Sequence, residues 1–473
     1  MGLEKVKYKG FIFPIVIGLI IWFTAPIRPA GVSVVAWHML ALFIATIVGC
    51  ITQPISIAGV TLIGFTLMIF TGLVPMKPAL AAFSNSAAWL IAMAFLISRG
   101  FIKTGLGRRI ALNFIKWFGK RSLGLGYAVA GVDLVTSVAT PSNTARAGGI
   151  VYPIVASLAD TFDSQPDNGE SARKIGSYLV FTEFHINLIT SAMFMTAMAP
   201  NLVVVALAKQ LGVHITWFGW FAAGVLPGVI CLLLVPFLIY KIFPPKVKET
   251  PNAKEWAQDK LAEMGPMKTS EKIMGIVFIL TLVLWMVSSF IGIEAYAVGF
   301  LAIVLLLVTG VLSVKDLLNE TGAWNVLIWL SILVFMAAQL TKMGFIPWMV
   351  KAFGGMLHGI NWIVVLAALM LFYFYSHYLF ASATAHSTAM YGALLGVALA
   401  AHVPTMLAAM MLAFITALMS STTHYANGPA SILATSGYVK QSTWWKLNVV
   451  MGIVYLLIFG LVGPLWMKLI GMW

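Results

Sequence analysis

Apolar residues in this chain run together in long blocks rather than alternating with polar ones, and Gly, Pro and charge gather at the ends of the blocks. A helix needs about 20 mostly apolar residues to cross a bilayer. Blocks able to do so fall at 11–28, 32–50, 52–73, 123–160, 175–212, 217–242, 272–292, 295–312, 361–401, 405–438 and 443–470. The pattern predicts an all-α polytopic membrane protein with about eleven transmembrane helices. Two further segments, 83–105 and 320–344, look too short and interrupted for two spans each. They are read as re-entrant helical hairpins, which are tolerated only where protein or an aqueous cavity covers the backbone. The stretch GRRIALNFIKWFGKR (107–121) alternates cations with Ile, Leu, Phe and Trp and is read as an interfacial amphipathic helix.

One interval is plainly polar. Residues 243–271 open on Phe-Pro-Pro, mix Lys with Glu and Asp, and predict a solvated linker with a short helix at 252–264. Its lysines, with Lys5, Lys7 and Lys9 of the N-terminus, place both regions in the cytoplasm by the positive-inside rule. The chain then divides into 1–31 (basic tail and first helix), 32–242 (first repeat), the linker 243–271, and 272–473 (second repeat). The first apolar segment carries no small-residue cleavage site and is expected to be retained.

The halves resemble each other. Gly344 lies 239 residues after Gly105, and Ser382 lies 240 after Ser142. Internal repeats of this kind mark secondary transporters. The stretch 103–121 carries six cations and its counterpart 342–358 two, which predicts inverted repeats with only the first copy facing the cytoplasm. Three full spans before residue 83 would put 103–121 on the other face, so either one of those is not a full crossing or part of 83–100 crosses.

Composition narrows the classes. Of 473 residues, 61% are apolar and 9% charged, against roughly 25% charged in soluble domains. The net charge of +14, from 29 Lys+Arg against 15 Asp+Glu, belongs mostly to loops and does not call for nucleic acid. Two cysteines, Cys50 and Cys231, exclude a disulfide framework and a Cys-based metal site. HExxH, Walker and Ser/His/Asp constellations are missing, so no catalytic residues, metal ligands or cofactor are expected.

The candidate chemistry lies inside the apolar helices. Thr140-Pro141-Ser142-Asn143-Thr144-Ala145-Arg146 and Ser382-Ala383-Thr384-Ala385-His386 occupy matched places in the two halves. A second polar break follows in each: Thr196–Asn201 and Thr422–Ala430, the latter with Asn427, Gly428 and Pro429. Broken helices offer orphan N–H donors and dipole ends that favour carboxylates. Arg146 and His386 follow their motifs at matched positions, 240 apart. An Arg at membrane depth costs several kcal/mol and marks function by default; the structural alternative is an ion pair with Asp133 or Glu183.

From about residue 30 to 470 these motifs resemble the divalent anion/sodium symporter family. Residues 420–439, SSTTHYANGPASILATSGYV, resemble its anion-exchanger branch, which includes citrate/succinate antiporters and plastid 2-oxoglutarate/malate translocators. The resemblance implies a homodimer with a scaffold and an elevator-type transport domain, and succinate, malate, 2-oxoglutarate, tartrate or citrate as substrate class. It also implies a substrate site formed by Ser142, Asn143, Thr144, Ser382, Ala383, Thr384, Asn201, Asn427, Gly428 and Pro429. Ala383 stands where symporters have Asn, which weakens a sodium site. Arg146 and His386 are read as charge-compensating groups in place of coupling sodium. The expected activity is exchange of di- or tricarboxylates in the inner membrane of a prokaryote; the alternative is a sodium-coupled dicarboxylate symporter. An anion channel or a membrane enzyme fits the paired broken helices less well.

Overall fold

The computed structural model describes residues 6–138, 140–166, 169–288, 290–356 and 359–473; Lys5 lies outside them. In chain order the principal helices are α1 (Ile12–Phe23), α2 (Val34–Thr52), α3 (Ile57–Phe70), α4 (Ser86–Thr104), α5 (Leu106–Phe118), α6 (Ser122–Ser137), α7 (Tyr152–Asp160), α8 (Gly176–Met193), α9 (Ala199–Gln210), α10 (Trp217–Ile242) and α11 (Asn252–Met264). They continue with α12 (Thr269–Val287), α13 (Ala295–Val308), α14 (Thr321–Lys342), α15 (Phe345–Met356), α16 (Trp362–Ser376), α17 (Ala383–Ala400), α18 (Thr405–Leu418), α19 (Gly428–Ala434), α20 (Gln441–Leu457) and α21 (Gly463–Leu469). The described residues form no named strand, and seven helices are long and apolar enough to cross a membrane.

Segments 83–105 and 320–344 are not re-entrant hairpins. Each holds one continuous helix, α4 and α14, with no proline inside it to break the i→i−4 ladder. The Ser-Asn-Ser cluster at 84–86 is a start signal rather than an interruption: Asn85 accepts a hydrogen bond from the Ala88 amide at 3.0 Å. Both helices end in a left-handed glycine, Gly105 at φ 80° and Gly344 at φ 84°.

The helical hairpins lie one step later, inside blocks that read as single spans. α6 runs to Ser137; after a turn at Pro141–Ser142 the chain returns through Asn143–Arg146, a π turn at Ala147–Val151 and α7. Both ends of this unit meet the start of α8: a Cβ on Gly126 would touch Tyr178, and Ser164 Oγ accepts from the Gly176 amide at 3.0 Å. The turn lies further along α8, where Asn187 reaches the carbonyl of Asn143. α16 and α17 form the second hairpin, turning at 377–382.

α10 relates the two. The base of the first hairpin meets its C-terminal end, where Tyr127 and Tyr178 donate to the Leu233 and Pro236 carbonyls. The base of the second meets its N-terminal end. Trp362 packs on Trp473, and Trp466 of the same terminal segment donates to the Ala222 carbonyl. The tips therefore approach each other from opposite ends of the molecule.

The helix expected at 252–264 is present as α11, but it is docked rather than free. Ala253 and Ala257 are buried, Thr250 donates to Gly119 O at 2.8 Å, and Glu271 holds Arg109 of α5 by two hydrogen bonds of 2.8 and 3.1 Å. α5 and the linker thus share a face, as their common positive charge requires, and α4 is the additional helix able to cross. At the C-terminal end of α4, beside α5, Lys103 and the Ser313 hydroxyl and amide hold the Asp316 carboxyl well below the usual carboxylate range. The centre is built on α8, in which every residue is buried, and on α18, buried from Leu407 to Leu418. α18, apolar nearly all round, belongs in such a place, whereas α8 carries Glu183, His185 and Asn187 into the interior.

Candidate functional site

Each hairpin turn starts a helix with a serine. Ser142 Oγ accepts from the Ala145 amide at 3.1 Å, and Ser382 Oγ from the Ala385 amide at 3.3 Å. The second break of each half starts another helix, capped at Met198 for α9 and at Asn427 for α19. All four cap residues line one cavity of about 180 Å³ between the two hairpin tips. Around it stand Phe95, Pro141, Ser142, Asn143, Thr144, Met198, Ala199, Pro200, Ala381, Ser382, Ala383, Thr384, Asn427 and Gly428.

The wall contains neither acid nor base. Its polarity comes from hydroxyls, two asparagine amides and the first-turn amides of four helices, which have no partner within their own helices. A helix N-terminus carries the equivalent of about half a positive charge. Four of them supply on the order of two, with seven-residue α19 contributing less. Asn427 adds a specific donor. Its Oδ1 accepts from the Ala430 amide at 2.8 Å, while its Nδ2 is buried at the cavity without a partner in the protein. Close approach here needs glycine: a Cβ on Gly428 would lie 2.1 Å from Thr144 Oγ1, on the opposing hairpin.

A buried clasp stands behind each tip. Arg146 is fully buried and every arm of its guanidinium is used. Nε donates to Asp133 Oδ1 at 2.8 Å, and Nη1 to the carbonyls of Thr140 and Ala197, both at 3.0 Å. Nη2 donates to Ser191 Oγ at 3.0 Å and Thr190 Oγ1 at 3.3 Å. The group ties the first tip to the first break. Behind the second tip, His377 Nε2 donates to the Ala426 carbonyl at 3.0 Å. Its Nδ1 lies 2.9 Å from Nδ1 of His386, whose Nε2 is 3.0 Å from Ser376 Oγ. A carbonyl only accepts, so His377 carries its proton on Nε2 and His386 donates from Nδ1; the Ser376 hydroxyl proton is shared between His386 Nε2 and the Tyr373 carbonyl. Two neutral rings suffice for the contact between the histidines.

A family model of the sodium:sulfate symporter transmembrane region matches residues 5–473. The chain belongs to this family, the divalent anion/sodium symporters. Its relatives include the putative malate transporter YflS of Bacillus subtilis (strain 168), 45% identical over 99% of this chain and 98% of that protein. Dicarboxylate transporter 1, chloroplastic, of Spinacia oleracea is 42% identical over 99% of this chain and 83% of its own. The L-tartrate/succinate antiporter of Shigella sonnei (strain Ss046) is 37% identical over 93% and 94%. Two solved structures share the fold alone: the YdaH transporter of Alcanivorax borkumensis (TM-score 0.55, 10% identity, covering 97% of this chain and 98% of that one) and MtrF of Neisseria gonorrhoeae (0.54, 12%, 97% and 94%).

Of the motif positions that resemblance to the family points to, Ser142, Asn143, Thr144, Ser382, Ala383, Thr384, Asn427 and Gly428 come together on the cavity. Asn201 and Pro429 do not line it. Asn201 turns back to α8, donating to the carbonyls of Ser191 and Phe194 at 2.7 and 3.0 Å, and so braces the break from behind. Pro429 is buried beyond Gly428. Arg146 and His386 also stay off the cavity wall, and Arg146 makes the ion pair with Asp133 that was the structural alternative for it. Asp133 neutralises the arginine, and His386 is spent on His377 and Ser376. Phe95 of α4 joins the wall without any signal in the sequence: it is one apolar residue in an apolar helix.

Proposed function

We propose that this family member carries dicarboxylates of the malate, succinate and tartrate class, bound between the two hairpin tips, and that it works by exchange. The observation that carries the reading is the convergence of four helix N-termini and the unpartnered Asn427 amide on a cavity without charged side chains. Donors of this kind suit carboxylate oxygens, and their summed positive potential suits a dianion. The names of the relatives, among them a malate transporter, a dicarboxylate transporter and a tartrate/succinate antiporter, support the substrate class.

Exchange rests on two arguments. Arg146 and the His377–His386 pair gather the loop carbonyls of Thr140, Ala197 and Ala426, and a hard cation such as Na⁺ seeks just such oxygens. In this reading protein groups stand in for coupling sodium. An empty ring of helix N-termini also carries an uncompensated potential that a bound dianion cancels, so the loaded form crosses the barrier more readily. The opposed hairpins support inverted repeats and an elevator motion of the tips against a scaffold that includes α4 and α14. A homodimer in a cell membrane completes the reading.

Binding tests it. Purified protein is expected to show a malate- and succinate-dependent rise in melting temperature, and none with the monoamide succinamate. Asn427→Asp keeps the cap oxygen but replaces the donor with a negative group, and is expected to abolish the rise with the fold intact. An unchanged shift in that variant overturns the assignment of the cavity.

A further inference from the structure

Glu183 sits in the middle of α8, fully buried, and neither of its carboxylate oxygens has a hydrogen-bond partner in the protein. The mechanism above makes no use of it. An ionisable group at this depth is expensive and functional by default. Its neighbours give it a role. Asn187 lies one turn further on the same face of α8. The amide nitrogen of Asn187 donates to the carbonyl of Asn143 at 3.3 Å and reaches Asp133 Oδ1 at 3.4 Å, while its own Oδ1 is buried without a donor. A carboxyl lacking a partner and an amide oxygen lacking a donor, one turn apart, are both satisfied by one proton. The amide between them touches the hairpin tip.

The charged and titratable groups around Glu183 are few. α6 brings Asp133, paired with Arg146 of the return arm; α7 brings Tyr152, half-buried and in reach of Ser436. α18 and α19 bring no titratable side chain. On α10, Tyr240 packs against Tyr178, Lys241 lies over Phe237, and Cys231 is buried towards Tyr455. On α8 itself, His185 is bound to the Tyr455 hydroxyl at 2.7 Å. With Arg146 and Asp133 cancelling, the charge of this cluster is set by Glu183 alone.

We propose that Glu183 is a proton-binding site coupled to the substrate cavity, its acid form donating to Asn187 and favouring the tip that receives the dianion. The step takes one proton from solution onto the Glu183 carboxylate and breaks no bond. Ionised, Glu183 adds a negative charge behind the first tip; protonated, it adds none. Proton and dianion therefore assist each other, and the coupling is reciprocal. Dicarboxylate affinity is highest in the protonated state and falls as pH rises, by up to about tenfold per pH unit for one linked proton.

The proposal rests on the cavity being the dicarboxylate site, and the test separates the two. Malate binding to the full-length purified protein is measured calorimetrically between about pH 6.5 and about pH 9, where malate stays a dianion. Buffers of unequal ionisation heat count the protons. The wild type is expected to take up a proton, fractional to one, with each malate as its affinity falls with pH. Glu183→Gln, which mimics the acid, is expected to bind malate with no proton uptake and a flat affinity. Absence of malate binding by the wild type contradicts the cavity assignment instead. Malate binding without proton uptake, or uptake retained in Glu183→Gln, overturns the proposal. Should that variant not fold, Glu183→Leu removes the titrating group altogether and is expected to lose the uptake; its persistence is equally contrary.

Discussion

Asn427 uses one end of its amide to start a helix and leaves the other facing the cavity. Asn201, its counterpart by motif, makes the opposite choice and bonds back to α8. Both asparagines are legible in the sequence as polar breaks beside a proline. Which way the side chain points depends on packing that no local pattern records, and so Asn427 lines the cavity while Asn201 braces it from behind. Removing the Asn427 donor should then be costly for binding alone. A hydrogen bond to a charged group is worth about 1.5–3 kcal/mol, so Asn427→Asp should raise the KM for malate by more than about tenfold in vesicle uptake, with the fold retained. Gly428→Ala should also fail, because its Cβ meets Thr144 Oγ1 at 2.1 Å. If crowding is the cause, Thr144→Ala in the same chain should restore part of the lost uptake, a coupling that a double-mutant cycle reads directly.

At the level of elements, the matched serine caps, the two breaks and the amphipathic helix are readable as local chemistry. The hairpins are masked in the sequence. An arm that turns back inside the protein stays apolar on nearly all sides, so α6 with α7, and α16 with α17, look in sequence like one long span with a kink. α4 and α14 err the other way, since polar residues at their starts look like interruptions. The role of Arg146 turns on its partner. Asp133 sits one hairpin arm away, and the pairing is visible only once the arm folds back. Breaking a buried pair on one side costs about 3–5 kcal/mol. Arg146→Ala should therefore lower the melting temperature and expression, and replacing Asp133 as well, as in Arg146→Met with Asp133→Leu, should recover much of the loss. A freely presented counter-charge would instead show normal stability and altered transport only.

For the whole molecule, the apolar and charged patterns already separate a membrane carrier from a soluble enzyme, and the shared positive charge of α5 and α11 agrees with their lying together. Interlocking of the halves through α10 is a tertiary fact, reached only by following which end of that helix each hairpin base meets. The cavity between the tips carries the account, and its protein-built clasps argue for exchange without sodium. Counterflow in proteoliposomes is the most direct test. Vesicles preloaded with malate should accumulate labelled malate at the same rate with and without Na⁺, and vesicles without internal dicarboxylate should accumulate almost none. Sustained uptake into empty vesicles driven by an inward Na⁺ gradient would contradict the account.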